Sequence, residues 1–157
     1  MSALAEQVLR AARSAGLTIA TAESCTGGLV VGALTDIAGS SDVVDRGFVT
    51  YSNAAKRDML GVRAQTLEAH GAVSEEVARE MVLGALAHSG ADLAVSITGI
   101  AGPGGSEFKP EGRVCFGIAR KGGTCTTETI EFGAPGRGAV RALSVRHALT
   151  LLSGAAQ

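Results

Sequence analysis

A serine that attacks a carbonyl needs a base to take its proton and donors to hold the oxyanion that forms. The candidate in this chain is Ser24, within Ala22-Glu23-Ser24-Cys25-Thr26-Gly27-Gly28. A strand that runs through a small-residue turn into a helix exposes N–H groups and the positive helix end, which suits a phosphate or a developing oxyanion. The turn matches neither the Walker A pattern nor Gly-x-Gly-x-x-Gly, so nucleotide binding does not follow from it. Taken alone, Ser24 and Thr26 are more often helix caps than reacting groups, and Gly27 and Gly28 serve close helix packing. Cys25 offers a thiolate at the same helix end but ranks second, because the neighbour of a pocket-facing side chain points elsewhere.

The base is harder to find. His70, His88 and His147 stand beside no motif and show no metal-ligand spacing, so metal hydrolysis is not expected. Lysine replaces histidine when desolvation brings its pKa down from about 10.4 to near 7–8. Lys56 qualifies: it lies about one turn into a helix that follows the strand ending at Tyr51, the only tyrosine. Tyr51 would orient Lys56 or donate a proton. By spacing alone, a solvated helix residue is the commoner fate of such a lysine. A second small-residue turn, Thr98-Gly99-Ile100-Ala101-Gly102-Pro103-Gly104-Gly105, also follows a strand. Arg137 and Arg141, one helical turn apart, would grip a phosphate or carboxylate, or else lie on a solvated face.

These residues need a frame, and hydrophobic patterning supplies one. Helical spacing over residues 3–15 stops at Gly16, and a short buried strand over 17–22 enters the Ser24 turn and a helix over 26–37. Arg46 to Tyr51 alternates as a strand, and Asn53 caps a helix to Leu60. His70 sits in a short helix or turn, and Ser74 starts a helix that stops at Gly90. Asp92 to Thr98 is a strand entering a loop from Gly99 to Gly112. Arg113–Arg120 and Thr124–Phe132 pair around Lys121-Gly122-Gly123, and a helix runs from Arg137 to Leu152. The order implies a three-layer α/β/α fold with a mixed, mostly parallel sheet and a C-terminal β-hairpin. Ligands then bind where strand C-termini meet loops.

Composition narrows the function. At 157 residues the chain fits a single domain over 1–157, and 46% hydrophobic residues argue against disorder. Aromatics at 3% and a net charge of -1 leave little for stacking or neutralising nucleic acid. The uncharged runs are too short and Gly-rich to span a bilayer, and the N-terminal helix carries Glu6, unlike a signal peptide. Three cysteines without a Cys-x-x-Cys pair suggest reduced thiols in a cytoplasmic protein, and Cys115 and Cys125 would not face each other across the hairpin.

Five segments now stand in one order: the Ser24 turn, Tyr51-Ser52-Asn53-Ala54-Ala55-Lys56, Gly71-Ala72-Val73-Ser74, the Thr98–Gly105 loop and Lys109-Pro110-Glu111-Gly112. Together they resemble the CinA C-terminal domain family, the nicotinamide-nucleotide amidohydrolases, from about residue 5 to 152. The resemblance implies hydrolysis of the amide of nicotinamide mononucleotide (NMN) in pyridine-nucleotide salvage, with no cofactor or metal. It places the family's serine on Ser24, its tyrosine on Tyr51, its lysine on Lys56, its threonine on Thr98 and its arginine on Arg137, with Arg141 as a second basic position. Backbone groups of Cys25, Thr26, Gly27 and Gly28 would face the oxyanion. Thr98, Gly99, Gly102 and Gly104 would position the ribose phosphate with Arg137. The chain departs from the family pattern at Pro135-Gly136-Arg137, where Gly-Asp-Arg is expected. The large N-terminal domain of longer members is absent, which implies a stand-alone form and, by family habit, a homo-oligomer. Two other readings stay open: a non-catalytic nucleotide-sensing or partner-binding module, and a hydrolase for another amide.

Overall fold

The computed structural model describes residues 1–106 and 108–157. Helix α1 (Ser2–Ala15) buries Ala5, Val8, Leu9 and Ala12 along one face. It ends where Gly16 turns left-handed and donates its N–H to the carbonyls of Ala12 and Arg13. Strand β1 is Ile19–Glu23, starting later than Leu17. Helix α2 spans only Leu29–Thr35 rather than starting at residue 26, because Gly27 and Gly28 take positive φ values of 57° and 100°. L side chains rarely adopt such angles, so the two glycines extend the turn before the helix begins.

A short 3-10 turn, Ser40–Asp42, leads into β2 (Val44–Val49). Helix α3 (Asn53–Leu60) is capped by Ser52, whose Oγ accepts from the Ala55 N–H at 3.0 Å; Asn53, the expected cap, is already helical. The stretch around His70 forms a separate helix, α4 (Ala64–His70). Ser74 caps α5 (Glu75–Ala87), with Glu75 and Glu76 complementing the helix dipole in its first turn. Strands β3 (Leu93–Gly99), β4 (Arg113–Arg120) and β5 (Cys125–Glu131) precede α6 (Arg137–Ala156).

The sheet order is β2-β1-β3-β4-β5. Strands β2, β1 and β3 run parallel, and β4 and β5 add an antiparallel hairpin. In the hairpin register Cys115 faces Thr129 and Cys125 faces Ala119, so these two are not opposed, and all three cysteines are free thiols. On one face, Val8 and Leu9 of α1, Val30 and Leu34 of α2, and Leu149 and Leu152 of α6 pack with Ile19, Val95 and Ile97. On the other, Val77, Met81 and Val82 of α5 and Leu60 of α3 pack with Ala20, Ala22 and Ala94. Each fully buried aliphatic side chain contributes roughly 1.5–3 kcal/mol.

Small residues replace rings in this core, and one of them sets the position of α3. A Cβ at Gly84 would collide with the backbone carbonyl of Leu60. Gly84→Ala would therefore push α3, and Lys56 with it, away from α5. Strand β1 lies between β2 and β3, so the chain leaves it toward one side and returns on the other. This is a topological switch point, and the C-terminal ends of β1, β2 and β3 meet there.

Candidate active site

The Ser24 N–H donates to the Ile97 carbonyl at 2.9 Å, extending the β1–β3 ladder one residue past β1. Strand alternation therefore persists through the turn. Ser24 follows Ala20 and Ala22 toward the face that carries α3, while Glu23 follows Ile19 toward the face that carries α2. From α3, Lys56 reaches back until its Nζ donates to Ser24 Oγ at 3.0 Å. The same Nζ donates to the carbonyls of Thr50 (3.1 Å) and Tyr51 (3.3 Å), the residues just beyond β2. Lys56 is 1% exposed and Ser24 7%. The lysine is thus a buried partner of the serine rather than a solvated helix residue.

Above this pair opens a cavity of about 360 Å³, lined by Ser24, Cys25, Tyr51, Lys56, Thr98, Gly99, Gly102, Gly104 and Arg137 among others. Thr26, Gly27, Gly28 and Arg141 do not line it. Tyr51 stands exposed at the rim, and its hydroxyl accepts from Arg137 Nη2 at 3.1 Å. Arg137 Nη1 donates to the Gly102 carbonyl at 2.7 Å, so one guanidinium joins the tyrosine side of the mouth to the glycine loop. The Thr98 hydroxyl, almost fully buried, donates to the Ala72 carbonyl at 2.8 Å. Arg141 instead lies behind the Ser24 turn, donating to the carbonyls of Cys25 (3.1 Å) and Thr26 (3.5 Å).

Four residues of this environment were not among the site residues that the sequence suggested. Asn53 lines the cavity, since Ser52 has taken over the cap. Lys109 Nζ donates to the carbonyls of His70 and Val73, both at 2.5 Å, and Glu111 accepts from the Gly104 N–H at 2.6 Å. The Lys-Pro-Glu-Gly segment thereby fixes two stretches of the wall. The fourth is Glu23. The positive end of α2, expected to face a substrate, holds the Glu23 carboxylate, which accepts from the N–H groups of Gly28, Val30 and Val31. A charge belonging to the chain already occupies that position. The Gly27 N–H is likewise used, on the Ser24 carbonyl. The remaining turn N–H groups, those of Cys25 and Thr26, are committed to no carbonyl or side chain of another described residue.

Burial pushes the Cys25 thiol up to about 11, outweighing Lys56 and Arg141, which favour the thiolate. Cys25 is therefore a neutral thiol near neutral pH, and the serine is the better placed nucleophile. No histidine lines the cavity. His70 lies 3.6 Å from Glu76, His88 Nδ1 contacts the Gly84 carbonyl at 2.8 Å, and His147 meets Glu128 and the Phe116 ring. Among the described residues no group of three or more His, Cys, Asp or Glu side chains could hold a metal ion. No described helix is long and apolar enough to cross a membrane.

A sequence model of the CinA C-terminal domain matches residues 1–156. The chain belongs to the CinA C-terminal domain family. Within this family it is 55% identical over 150 residues to the nicotinamide-nucleotide amidohydrolase PncC of Escherichia coli (strain K12), covering 95% of this chain and 90% of that one. A CinA-like protein of Chlorobium phaeobacteroides (strain BS1) is 60% identical over 120 residues, which are 74% of this chain but 29% of that protein. Among solved structures, the competence/damage inducible protein CihA from Agrobacterium tumefaciens superposes with a TM-score of 0.96 at 50% identity, over 99% of this chain and 95% of that one. CinA C-terminal domains thus occur both at this length and within much longer proteins.

Proposed function

We propose that this chain hydrolyses the carboxamide of NMN, giving nicotinate mononucleotide and ammonia, as a cytoplasmic enzyme of pyridine-nucleotide salvage. The reading is supported by the name and coverage of the 55% identical amidohydrolase. The observation that carries the mechanism is the buried 3.0 Å contact between Lys56 Nζ and Ser24 Oγ at the cavity floor. As the base, Lys56 is the neutral amine, its two N–H groups serving the Thr50 and Tyr51 carbonyls and its lone pair accepting from the Ser24 hydroxyl.

Lys56 takes the Ser24 proton as Oγ bonds to the amide carbon, whose electrons move onto the oxygen. The N–H group of Cys25, the turn residue that lines the cavity beside Ser24, receives that oxyanion, such a donor typically contributing about 3 kcal/mol. Collapse expels ammonia with the proton that Lys56 carried, leaving a serine ester. Water then cleaves the ester, returning its proton through Lys56 to Ser24 Oγ. Arg137, Thr98 and the loop from Gly99 to Gly104 hold the ribose phosphate end, and Tyr51 orients Lys56 through its backbone carbonyl and Arg137 through its hydroxyl. Neither a metal nor a cofactor takes part. The chain works as one domain over 1–157, in self-associated form and without nucleic acid.

The test is ammonia release from NMN with a chelator present. Wild type should turn over, and Ser24→Ala should lose at least about a thousandfold in kcat while still binding NMN. Full activity in a folded Ser24→Ala protein would falsify the nucleophile assignment. Binding of NMN by wild type without any turnover would favour a nucleotide-sensing module.

A further inference from the structure

Glu23 is fully buried beside the reacting serine, yet no step of the proposed chemistry uses it. Its Oε1 accepts from the Thr26 hydroxyl (2.7 Å) and the N–H groups of Gly28 (3.1 Å) and Val30 (2.9 Å). Its Oε2 accepts from the Thr21 hydroxyl (3.1 Å) and the Val31 N–H (3.0 Å). Five donors offset the lost hydration of a buried carboxylate, but they do not explain why one is there. A Ser, Thr or Asn at the cap position would satisfy the end of α2 without burying a charge.

A carboxylate on the last residue of β1 does what a cap cannot: it spans the turn. It ties residue 23 directly to residues 26, 28, 30 and 31, so Ser24 and Cys25 lie inside a closed ring of hydrogen bonds. Arg141 of α6 holds the carbonyls of Cys25 and Thr26 as well. The ladder bond from the Ser24 N–H to Ile97 is a third tie.

We propose that Glu23 is the positioning residue of the site, the group that holds Ser24 Oγ in register with Lys56 and keeps the Cys25 backbone in place beside it. This rests on Ser24 being the nucleophile. Glu23 touches no substrate atom, so its removal should change the rate of the chemical step and leave binding nearly intact. A displacement of about 1 Å in a reacting group costs on the order of a hundredfold.

The experiment compares Glu23→Gln, Thr26→Val and Ser24→Ala with wild type, by NMN kinetics, calorimetric NMN binding and circular dichroism. Glu23→Gln keeps the size of the side chain but turns a donor toward backbone N–H groups. It should lower kcat about a hundredfold with KM and NMN binding within about threefold. Thr26→Val removes one of the five donors at little structural cost and should lower kcat about five- to tenfold, again without moving KM. Wild-type kcat in a folded Glu23→Gln, or losses in both variants that appear in KM rather than kcat, would overturn the proposal. Should Glu23→Gln fail to fold, Thr26→Val decides alone by the same split. Full turnover by Ser24→Ala would remove the nucleophile reading and this proposal together, whereas an inactive Ser24→Ala beside a fully active Glu23→Gln removes this proposal only.

Discussion

The two walls of the cavity are built on different plans. The Ser24 turn is held by the buried Glu23 carboxylate and Ile97 carbonyl and by the half-buried guanidinium of Arg141. Among the described residues from Gly99 to Gly112, backbone bonds join Ile100 to Arg113 and Gly112, and Ser106 to Lys109, while the ties to the rest of the cavity wall come mainly from exposed side chains. Glu111 holds Gly104, Lys109 holds His70, and Arg137 holds Gly102. Buried hydrogen bonds act in a low dielectric and define one geometry, while exposed ones exchange readily with water. The first wall is thus suited to the reacting atoms, and the second to gripping the rest of a ligand.

That division is broken most directly at Lys56. Lys56→Met keeps an unbranched apolar stem in a fully buried position but removes the base, so kcat should fall about a thousandfold with KM within a few-fold. A smaller and more discriminating comparison uses the two arginines of α6. Arg137→Ala should raise KM about ten- to a hundredfold, the value of a lost charge-assisted phosphate contact, with little change in kcat. Arg141→Ala, one helical turn away, should instead lower kcat about tenfold at constant KM, because it supports the turn from behind. Steady-state kinetics on NMN reads both. If both variants act on KM alone, the two walls are not functionally distinct.

The same contrast explains what the sequence could reveal. Elements with strong periodicity and clear stops, such as α1 ending at Gly16 and α5 starting at Ser74, were legible to within a few residues. The start of α2 was not, because two consecutive positive-φ glycines act on the backbone rather than on hydrophobic pattern. Ser24, Tyr51, Lys56 and Thr98 were singled out through the order of their motifs and Arg137 through the family resemblance, and all five line the cavity. Lys56 burial depends on how closely α3 approaches α5 at Gly84, which spacing along α3 does not encode. Glu23 was overlooked for a related reason. A carboxylate at the end of an apolar strand resembles a solvated boundary residue, and only the turn that folds back over it makes it internal. The usable signal was the pair Glu23 and Thr26 ahead of two glycines, a carboxylate and hydroxyl poised to meet the helix that follows.

The smallest effect is expected at Cys25, the residue that shares the turn with Ser24 and lines the same cavity. Its thiol is raised from 9.0 to about 11 by burial, so below that pH it is mainly protonated. A thiolate nucleophile with that pKa would make the rate climb about tenfold per pH unit from pH 7 to 10. Turnover that depends on Ser24 carries no such slope from Cys25. Cys25→Ala should accordingly leave kcat and KM within about threefold and leave the shape of the pH profile unchanged. Iodoacetamide at pH 7.5 offers a parallel check: the partly exposed Cys125 should be modified well before Cys25, with activity retained during that first phase. A pH profile that lost a steep alkaline limb on Cys25→Ala would move the nucleophile one residue along the turn, and the buried ring around Glu23 would then be holding the wrong neighbour in place.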